Sequence, residues 1–219
     1  MLNKDSFREP VKAVIFDIGK VLIDFNFDLA FEAASRIVKL PAAEIRRRLF
    51  GGEGGRDLVE FECGRISEHE YHRRVEMTLG QPLPYEAFHE LWNCIFLEEI
   101  KPTVAILHQL RQQHRVSVGI LSNINVLHFD YLRQRMNVLS QVQHVYASHE
   151  IGCRKPDVAS FDYVLKKMDV APQQAVLIDD LSDNVLAAES IGMRIIHATH
   201  PEAVLSGLQA LGFGNDLNA

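Results

Sequence analysis

Cysteine is scarce in this sequence, which has Cys63, Cys94 and Cys153 among its 219 residues. Their number is odd, their spacing is irregular and no two of them form a C-x-x-C pair, so the sequence does not describe a disulfide framework. We therefore expect buried or inert thiols in a protein of a reducing compartment.

The sequence also has fewer basic than acidic residues, and it has no long apolar run. The chain carries 23 Lys and Arg residues against 29 Asp and Glu residues, so it lacks the basic footprint of a nucleic-acid-binding protein. No apolar run approaches the ~20 residues of a membrane span, and the polar start of the chain lacks the apolar stretch of a signal peptide. The expectation is a cytoplasmic protein with neither a nucleic-acid nor a membrane partner.

A globular core is what the composition does provide, since 47% of the residues are hydrophobic and 24% are charged. Short β-branched runs are predicted to form strands, and helical patterns lie between them. The predicted strands are Val11–Phe16, Val116–Leu121, His144–Ala147, Ala175–Ile178 and Met193–Ile196. Strands that alternate with helices favour an α/β, Rossmann-like fold with a parallel sheet covered on both faces.

The region from about residue 27 to residue 96 breaks this alternation, because it contains helical patterns and no convincing strand. The predicted helices are Leu29–Lys39, Ala42–Leu49, Ser67–Leu79 and Tyr85–Leu97. The glycine-rich stretch Gly51–Gly55 is predicted to be a flexible connector, since no strand precedes it and no P-loop Lys-Ser/Thr follows it. We predict an all-helical cap domain at residues 26–97, inserted into a core domain of residues 1–25 and 98–219.

Chemically active side chains follow the predicted strands. They are Asp17 after the first strand, Ser122-Asn123 after the second, Lys155 in the loop after the third, and Asp179-Asp180 after the fourth. Ligands of an open parallel sheet bind beyond the carboxyl ends of its strands, so these groups should meet at one edge. Each residue type alone is also common in turns and helix caps, but the combination indicates a site.

The combination suits phosphoryl transfer. Crowded carboxylates repel one another unless a cation lies among them, and Mg²⁺ prefers one or two carboxylates together with substrate phosphate oxygens. With that repulsion offset, Asp17 can attack phosphorus and form an aspartyl-phosphate. Ser122 and Asn123 can donate hydrogen bonds to the transferring oxygens, and Lys155 can place a positive charge against them.

Four motifs carry a specific resemblance to a known family. They read FDIGKVL at 16–22, LSN at 121–123, RKPD at 154–157 and IDDLSDN at 178–184. In order and spacing they resemble the four motifs of the haloacid-dehalogenase (HAD) superfamily over essentially the whole chain, and the insert resembles the helical cap of its first cap class. The nearest likeness is to sugar-phosphate phosphatases whose first motif also reads D-x-G, and to the phosphatase domain of bifunctional epoxide hydrolases.

The resemblance implies a role for each matching position. Asp17 matches the catalytic nucleophile and a metal ligand, and Asp180 matches the second metal carboxylate. Ser122-Asn123 matches the phosphate-binding pair. Lys155 matches the catalytic lysine that steadies both the nucleophile and the phosphate, and Asn184 matches a position that supports the metal ligands.

Gly19 is where the sequence departs from the family pattern. Most phosphatases of the superfamily carry D-x-D, whose second Asp protonates the leaving group and then activates water, and Gly19 occupies that position here. The resemblance implies that the Gly19 carbonyl completes the protein's share of the metal shell. Without an acid at position 19, departure of the leaving group must rely on metal, water or the substrate itself. The alternative is that Asp24, a cap residue such as Glu60, or an ordered water performs the task.

Further polar residues lie in the insert around the stretch CGRIS. Glu60, Glu62, Arg65 and His69 are candidates for substrate specificity, because this region approaches the substrate in capped relatives. A polar cap surface is the plainer interpretation of each of them.

We therefore expect a Mg²⁺-dependent hydrolase, a monomer or homodimer, that acts on a small phosphorylated metabolite such as a sugar phosphate. Two alternatives remain open. A haloacid dehalogenase attacks carbon with its Asp and needs no metal, which would leave the acidic pair of the fourth motif without an obvious role. A degenerate protein that only binds a phosphorylated ligand would explain Gly19, but not the retention of Asp17, Lys155 and Asp180.

Overall fold

A five-stranded parallel sheet forms the centre of the protein, whose computed structural model describes residues 9–214 and residue 217. The strands within these residues are β1 Ala13–Phe16, β2 Ile23–Phe25, β3 Phe96–Glu99, β4 Ser117–Ser122, β5 His144–Ala147, β6 Ala175–Asp179 and β7 Arg194–His197. The sheet order is β5-β4-β1-β6-β7, and all neighbours in it are parallel. All five predicted strands are confirmed, and their ends differ from the prediction by no more than two residues.

Two short strands that the sequence pattern did not predict connect the sheet to the helical insert. β2 and β3 pair antiparallel, with Ile23 opposite Glu99 and Phe25 opposite Phe96. Their signal is weak because β2 has three residues and the middle of β3 is exposed, so neither strand shows a buried run. The ribbon lies beside the predicted limits of the insert, and the division into two domains remains a prediction.

The insert consists of five helices around an aromatic core of their own. They are α1 Phe27–Val38, α2 Ala42–Phe50, α3 Gly52–Glu62, α4 Glu68–Leu79 and α5 Tyr85–Asn93. The rings of Phe61 and Tyr71 stack 4.5 Å apart, and Trp92 meets the Tyr71 ring edge-on at 5.1 Å. Such ring pairs stabilise a core beyond the area that they bury.

The prediction that Gly51–Gly55 is a flexible connector is wrong. α3 begins within this stretch, directly after α2. A Cβ atom at Gly54 would lie 2.2 Å from the Arg48 carbonyl oxygen, so the missing side chain is what allows the two helices to approach closely. Glycine lowers helix propensity, which is why the local pattern pointed to a loop.

Helices cover both faces of the sheet, as predicted. The core helices are α6 Lys101–Gln113, α7 Val126–Arg135, α8 Asn137–Ser140, α9 Ser148–Ile151, α10 Val158–Met168, α11 Ser182–Ser190 and α12 Pro201–Ala210. Alternate residues of β1 enter different layers: Val14 and Phe16 join a cluster with α6 and α12, whereas Ala13 and Ile15 join one with α10 and α11. Among the described residues, no helix has the length and apolar character needed to cross a membrane.

Candidate active site

Asp17 lies directly beyond the carboxyl end of the central strand, β1. The strand is completely buried, so the carboxylate that follows it is carried into the protein and is only 8% exposed. One of its oxygens accepts a hydrogen bond from the Ile18 backbone N–H at 2.7 Å and lies 3.0 Å from the Lys155 ammonium nitrogen. The predicted nucleophile is thus held in place and paired with a cation.

Lys155 is fully buried and lies between two carboxylates. Besides Asp17, its Nζ donates to Asp179 Oδ2 at 2.5 Å. Burial lowers the pKa of the ammonium, but the two negative charges outweigh it and the net pKa is raised, so Lys155 is a fixed positive charge at neutral pH.

Asn123 positions the Lys155 backbone. Its side-chain amide donates to the Lys155 carbonyl and its side-chain oxygen accepts from the Lys155 N–H, both at 2.8 Å. The side chain predicted to bind phosphate is therefore engaged in joining two loops, although Asn123 also lines the cavity described below. Ser122 is buried at the end of β4 and lines the same cavity.

The Asp179-Asp180 pair divides into two different roles. Asp179 Oδ1 accepts hydrogen bonds from the Leu181 N–H at 3.0 Å and from Asn184 Nδ2 at 2.9 Å, and Oδ2 accepts the Lys155 bond. Its oxygens are therefore engaged by the protein, so Asp179 organises its neighbours. Asp180 is half-buried and lines the cavity, and its assignment as a metal carboxylate stays a prediction.

The acidic cluster fits a divalent cation. One oxygen each from Asp17, Asp179 and Asp180 lies within 4.8 Å of the other two. Burial raises the pKa of the Asp17 carboxyl, and the charges of Asp179 and Asp180 raise it further against the opposing effect of Lys155. A single lysine therefore leaves negative charge uncompensated, and oxygen donors of this kind suit Mg²⁺. Asp17 and Asp180 are the carboxylates that would hold it, with Gly19 at the same cavity wall.

A cavity of ≈ 200 Å³ opens above these groups. Its polar end is formed by Asp17, Ser122, Asn123, Asp180 and Asn184, and its apolar wall by Ile18, Phe25, Phe27, Ile95, Phe96, Ile124 and Leu181. His128 also faces it, but Nε2 lies 2.8 Å from the Trp92 carbonyl oxygen and Nδ1 lies 3.1 Å from Asn125 Nδ2. Burial lowers the pKa of His128 to about 4, so it is neutral and its ring nitrogens are engaged.

The space beside Gly19 is filled by an aromatic ring. A Cβ atom at position 19 would lie 2.7 Å from Cε1 of Phe25, which is closer than side chains approach one another. The Phe25 ring thus takes up space that a side chain at position 19 would need. Asp24, the next acidic residue after Gly19 along the chain, is 44% exposed and pairs with Lys20 at 2.6 Å instead.

Residues 11–192 match the sequence model described as haloacid dehalogenase-like hydrolase. The chain belongs to that family. The predicted family, fold and enzyme class, an HAD-like hydrolase, are confirmed by this match and by the parallel sheet.

Several relatives of this HAD hydrolase have assigned activities. A sesquiterpene phosphatase of Aspergillus oryzae is 27% identical over 206 residues, covering 91% of this chain and 96% of the relative. A D-ribitol-5-phosphate phosphatase of Bacteroides thetaiotaomicron is 26% identical over 188 residues, covering 83% and 89%. Both relatives are thus matched over most of their length.

Solved structures agree on the fold. A wild-type HAD family enzyme of Bacteroides thetaiotaomicron, in complex with magnesium and inorganic phosphate, superposes with a TM-score of 0.72 at 21% identity, covering 84% of this chain and 92% of that one. An L-2-haloacid dehalogenase of Xanthobacter autotrophicus gives a TM-score of 0.62 at 18% identity, covering 91% of this chain and 83% of that one. The fold alone therefore does not separate phosphatase from dehalogenase.

The insert of this HAD hydrolase brings one polar side chain into the cavity. Of the four candidates from the sequence, Glu62 at the end of α3 lines the cavity, whereas Glu60 and Arg65 pair with each other away from it at 2.7 Å and His69 is exposed. The Glu62 carboxylate lies 3.0 Å from Arg154 Nη1. Sequence reasoning did not single out Arg154, although its position directly before Lys155 is a usable signal.

Proposed function

We propose that this hydrolase releases inorganic phosphate from a small phosphomonoester, with Mg²⁺ bound at the acidic cluster. The observation that carries the proposal is the buried Asp17, paired with Lys155 and set beside Asp180 at the floor of a ≈ 200 Å³ cavity. The phosphatase names of the two relatives support the reaction class. The magnesium and phosphate in the Bacteroides enzyme's structure support the metal.

The mechanism assigns each step to a residue of the chain. Asp17 attacks phosphorus, the bond from phosphorus to the leaving oxygen breaks, and an aspartyl-phosphate remains. Lys155 holds Asp17 in position and opposes the negative charge on the phosphoryl oxygens, while Ser122 donates to one of them. Mg²⁺ at Asp17, Asp180 and the Gly19 carbonyl would supply charge compensation. Water then cleaves the aspartyl-phosphate and restores the Asp17 carboxylate.

The two alternatives explain less of the structure. A dehalogenase would gain nothing from Asp180, a carboxylate that faces the cavity and adds repulsion at Asp17. A protein that only binds a phosphorylated ligand would have no use for a buried carboxylate at the point where phosphate must sit, because that charge repels phosphate. Both features serve a nucleophile that works beside a cation.

The cavity wall favours a leaving group with apolar surface. Three phenylalanine rings line it, from Phe25, Phe27 and Phe96, and His128 offers a ring face because its nitrogens are engaged. A polyol needs hydrogen-bond partners for each hydroxyl that it buries. The name of the Aspergillus relative, a sesquiterpene phosphatase, points in the same direction. Sugar phosphates, the class expected from the sequence, therefore compete with alkyl and isoprenyl monophosphates.

A substrate panel tests this proposal. Purified protein with Mg²⁺ is expected to release phosphate from at least one phosphomonoester, and kcat/KM should be higher for isoprenyl and alkyl phosphates than for ribitol and sugar phosphates. Phosphate release is measured over matched concentrations, with EDTA-treated protein as the control. Absence of release from every compound with either Mg²⁺ or Mn²⁺ would contradict the proposed reaction, and a preference for polyol phosphates would contradict the apolar leaving group.

Asp180→Asn is expected to weaken the metal site without removing the nucleophile. The loss of a charged oxygen donor should raise the Mg²⁺ concentration for half-maximal activity by roughly 10- to 100-fold, judged from the typical effect of disturbing a metal site, and should lower kcat. Activity is titrated against Mg²⁺. Asp183→Asn is the matched control, because Asp183 lies three residues further along the chain and is exposed. Equal Mg²⁺ requirements in both variants would remove Asp180 from the metal site.

A further inference from the structure

The proposed reaction needs a proton donor for the leaving group. At position 19, where the sequence analysis placed the acid of most phosphatases of the family, this chain has glycine. Gly19 has no side chain, and Phe25 fills the space beside it. Asp24 is 44% exposed and paired with Lys20. The remaining acidic candidate from the sequence, Glu60, is 38% exposed and pairs with Arg65. None of these three residues can therefore place a proton near the leaving group in this conformation.

Glu62 is held over the cavity by a close contact between cap and core. Its backbone carbonyl accepts a hydrogen bond from Ser148 Oγ at 2.5 Å. Two residues later, Gly64 has a φ of 67°, and a Cβ atom there would lie 2.2 Å from the His149 carbonyl oxygen. The end of α3 is thus pressed against α9 of the core, which fixes the point from which the Glu62 side chain enters the cavity.

The Glu62 side chain has unused hydrogen-bonding capacity. It is 15% exposed, and its Oε2 lies 3.0 Å from Arg154 Nη1 without hydrogen-bond geometry. Within the part of the chain that the structure describes, neither Glu62 Oε2 nor Arg154 Nε has a hydrogen-bond partner. Buried polar atoms are almost always satisfied in native proteins, so these two atoms need a partner, which a ligand or a water bound in the adjoining cavity would supply.

The surroundings keep Glu62 able to carry a proton. Burial raises the pKa of its carboxyl and the charge of Asp17 adds to this, while the Arg154 guanidinium opposes it without cancelling it. Burial raises the pKa values of Tyr71 and Cys63, and the charge of Glu62 raises them further, so both side chains are neutral. Arg154 is the cation that faces Glu62 from the core, and Asp17 is the anion that faces it.

We propose that Glu62 is the general acid and base of this enzyme, in place of the absent carboxylate at position 19. As the bond between phosphorus and the leaving oxygen breaks, its electron pair stays on that oxygen, which takes the proton of Glu62. The Glu62 carboxylate then accepts a proton from the water that attacks the aspartyl-phosphate. Inorganic phosphate leaves, Asp17 is free, and Glu62 is protonated again. Arg154 orients the carboxyl between the two steps.

The inference rests on the proposed phosphatase activity, and the experiment separates the two. Glu62→Gln is compared with Glu60→Gln, a matched control two residues away on the same helix. With an alkyl phosphate, Glu62→Gln should lower kcat/KM by roughly 10²–10⁴-fold, the usual contribution of general acid catalysis. With an aryl phosphate whose leaving group needs no protonation, kcat/KM should fall far less, and a rapid-mix experiment should show a burst of phenol, because the water step becomes slow.

The pH profile distinguishes a catalytic role from a structural one. Glu62 must be protonated for the first step, so the wild-type kcat/KM for the alkyl phosphate should fall on the basic side of a pKa that Glu62→Gln removes. Glu62→Asp, which retains the acid, should restore part of the activity and the basic limb. Equal losses for both substrates with an unchanged profile, or no loss at all, would overturn the role of Glu62 while leaving the phosphatase assignment intact. A wild-type protein inactive on both substrates would overturn the proposed function itself.

Discussion

Asp17→Asn is expected to abolish phosphate release, with a loss on the order of 10⁴-fold or more, as for other enzymes that lose a covalent nucleophile. The amide keeps the shape of the side chain but cannot attack phosphorus. The expected residual rate does not recover at any Mg²⁺ concentration, unlike that of Asp180→Asn. Phosphate release under single-turnover conditions is the measurement, and Asp24→Asn is the control because Asp24 is exposed and outside the cavity lining. Activity within tenfold of the wild type would assign the nucleophile to another residue.

The same variant should behave differently in an unfolding experiment. The pKa of the Asp17 carboxyl is raised in the folded protein, so the folded state binds a proton more readily than the unfolded state does. The free energy of unfolding therefore decreases as the pH rises towards the raised pKa, because the charged carboxylate destabilises the fold. Without metal, Asp17→Asn should therefore be more stable relative to the wild type at pH 7.5 than at pH 4.5. Urea unfolding in EDTA at both values measures the difference, and the opposite trend would mean that Lys155 outweighs burial at this site.

Lys155→Met is expected to be the most destabilising of the substitutions considered. The lysine is fully buried between Asp17 and Asp179, and its removal leaves two carboxylates inside the protein without their cation. Breaking a buried ion pair from one side typically costs about 3–5 kcal/mol of unfolding free energy. Activity should be lost as well. Urea denaturation at pH 7.5 measures the stability, with Lys166→Met on an exposed face of α10 as the control.

A second substitution identifies the cause of that loss. Asp179→Asn in the Lys155→Met background removes one of the two stranded charges, so the double variant should be more stable than Lys155→Met alone, and the two effects should not add. The deficit of Lys155→Met should also shrink at pH 5, where unpaired carboxyls take up protons. If the loss of unfolding free energy in Lys155→Met did not change with pH, and the effects of the two substitutions were additive, the lysine would stabilise the fold by packing alone.

The sheet of this protein could be predicted well because a buried parallel sheet produces a clear pattern in the local sequence. Strands that are covered on both faces are short and continuously apolar, and each of them here ends where polar residues begin. The parallel arrangement then brings those ends to one edge, so Asp17, Lys155 and the Asp179-Asp180 pair could be expected to meet. No contact had to be known for this expectation.

The sequence pattern could not predict features that depend on contacts between segments far apart in the chain. α3 starts among glycines because α2 must pass close to it, and the ribbon of β2 and β3 exists through pairing across the whole insert. Glu60 and Glu62 are both acidic residues of α3, and only the packing of the insert against the rest of the chain places one towards solvent and the other at the cavity. Likewise, the local sequence does not show that the carboxylate of Asp179 accepts hydrogen bonds from Lys155 and Asn184.

The ring of Phe25 beside Gly19 also has an evolutionary consequence. Since a Cβ atom at position 19 would collide with Cε1 of that ring, any side chain introduced there meets an obstacle before it can take up a catalytic geometry. An acid at position 19 therefore requires the Phe25 ring, which belongs to the ribbon opposite Phe96, to shift or to be replaced. Positions 19 and 25 are thus coupled, and we expect a side chain gained at the first to be accompanied by a change at the second.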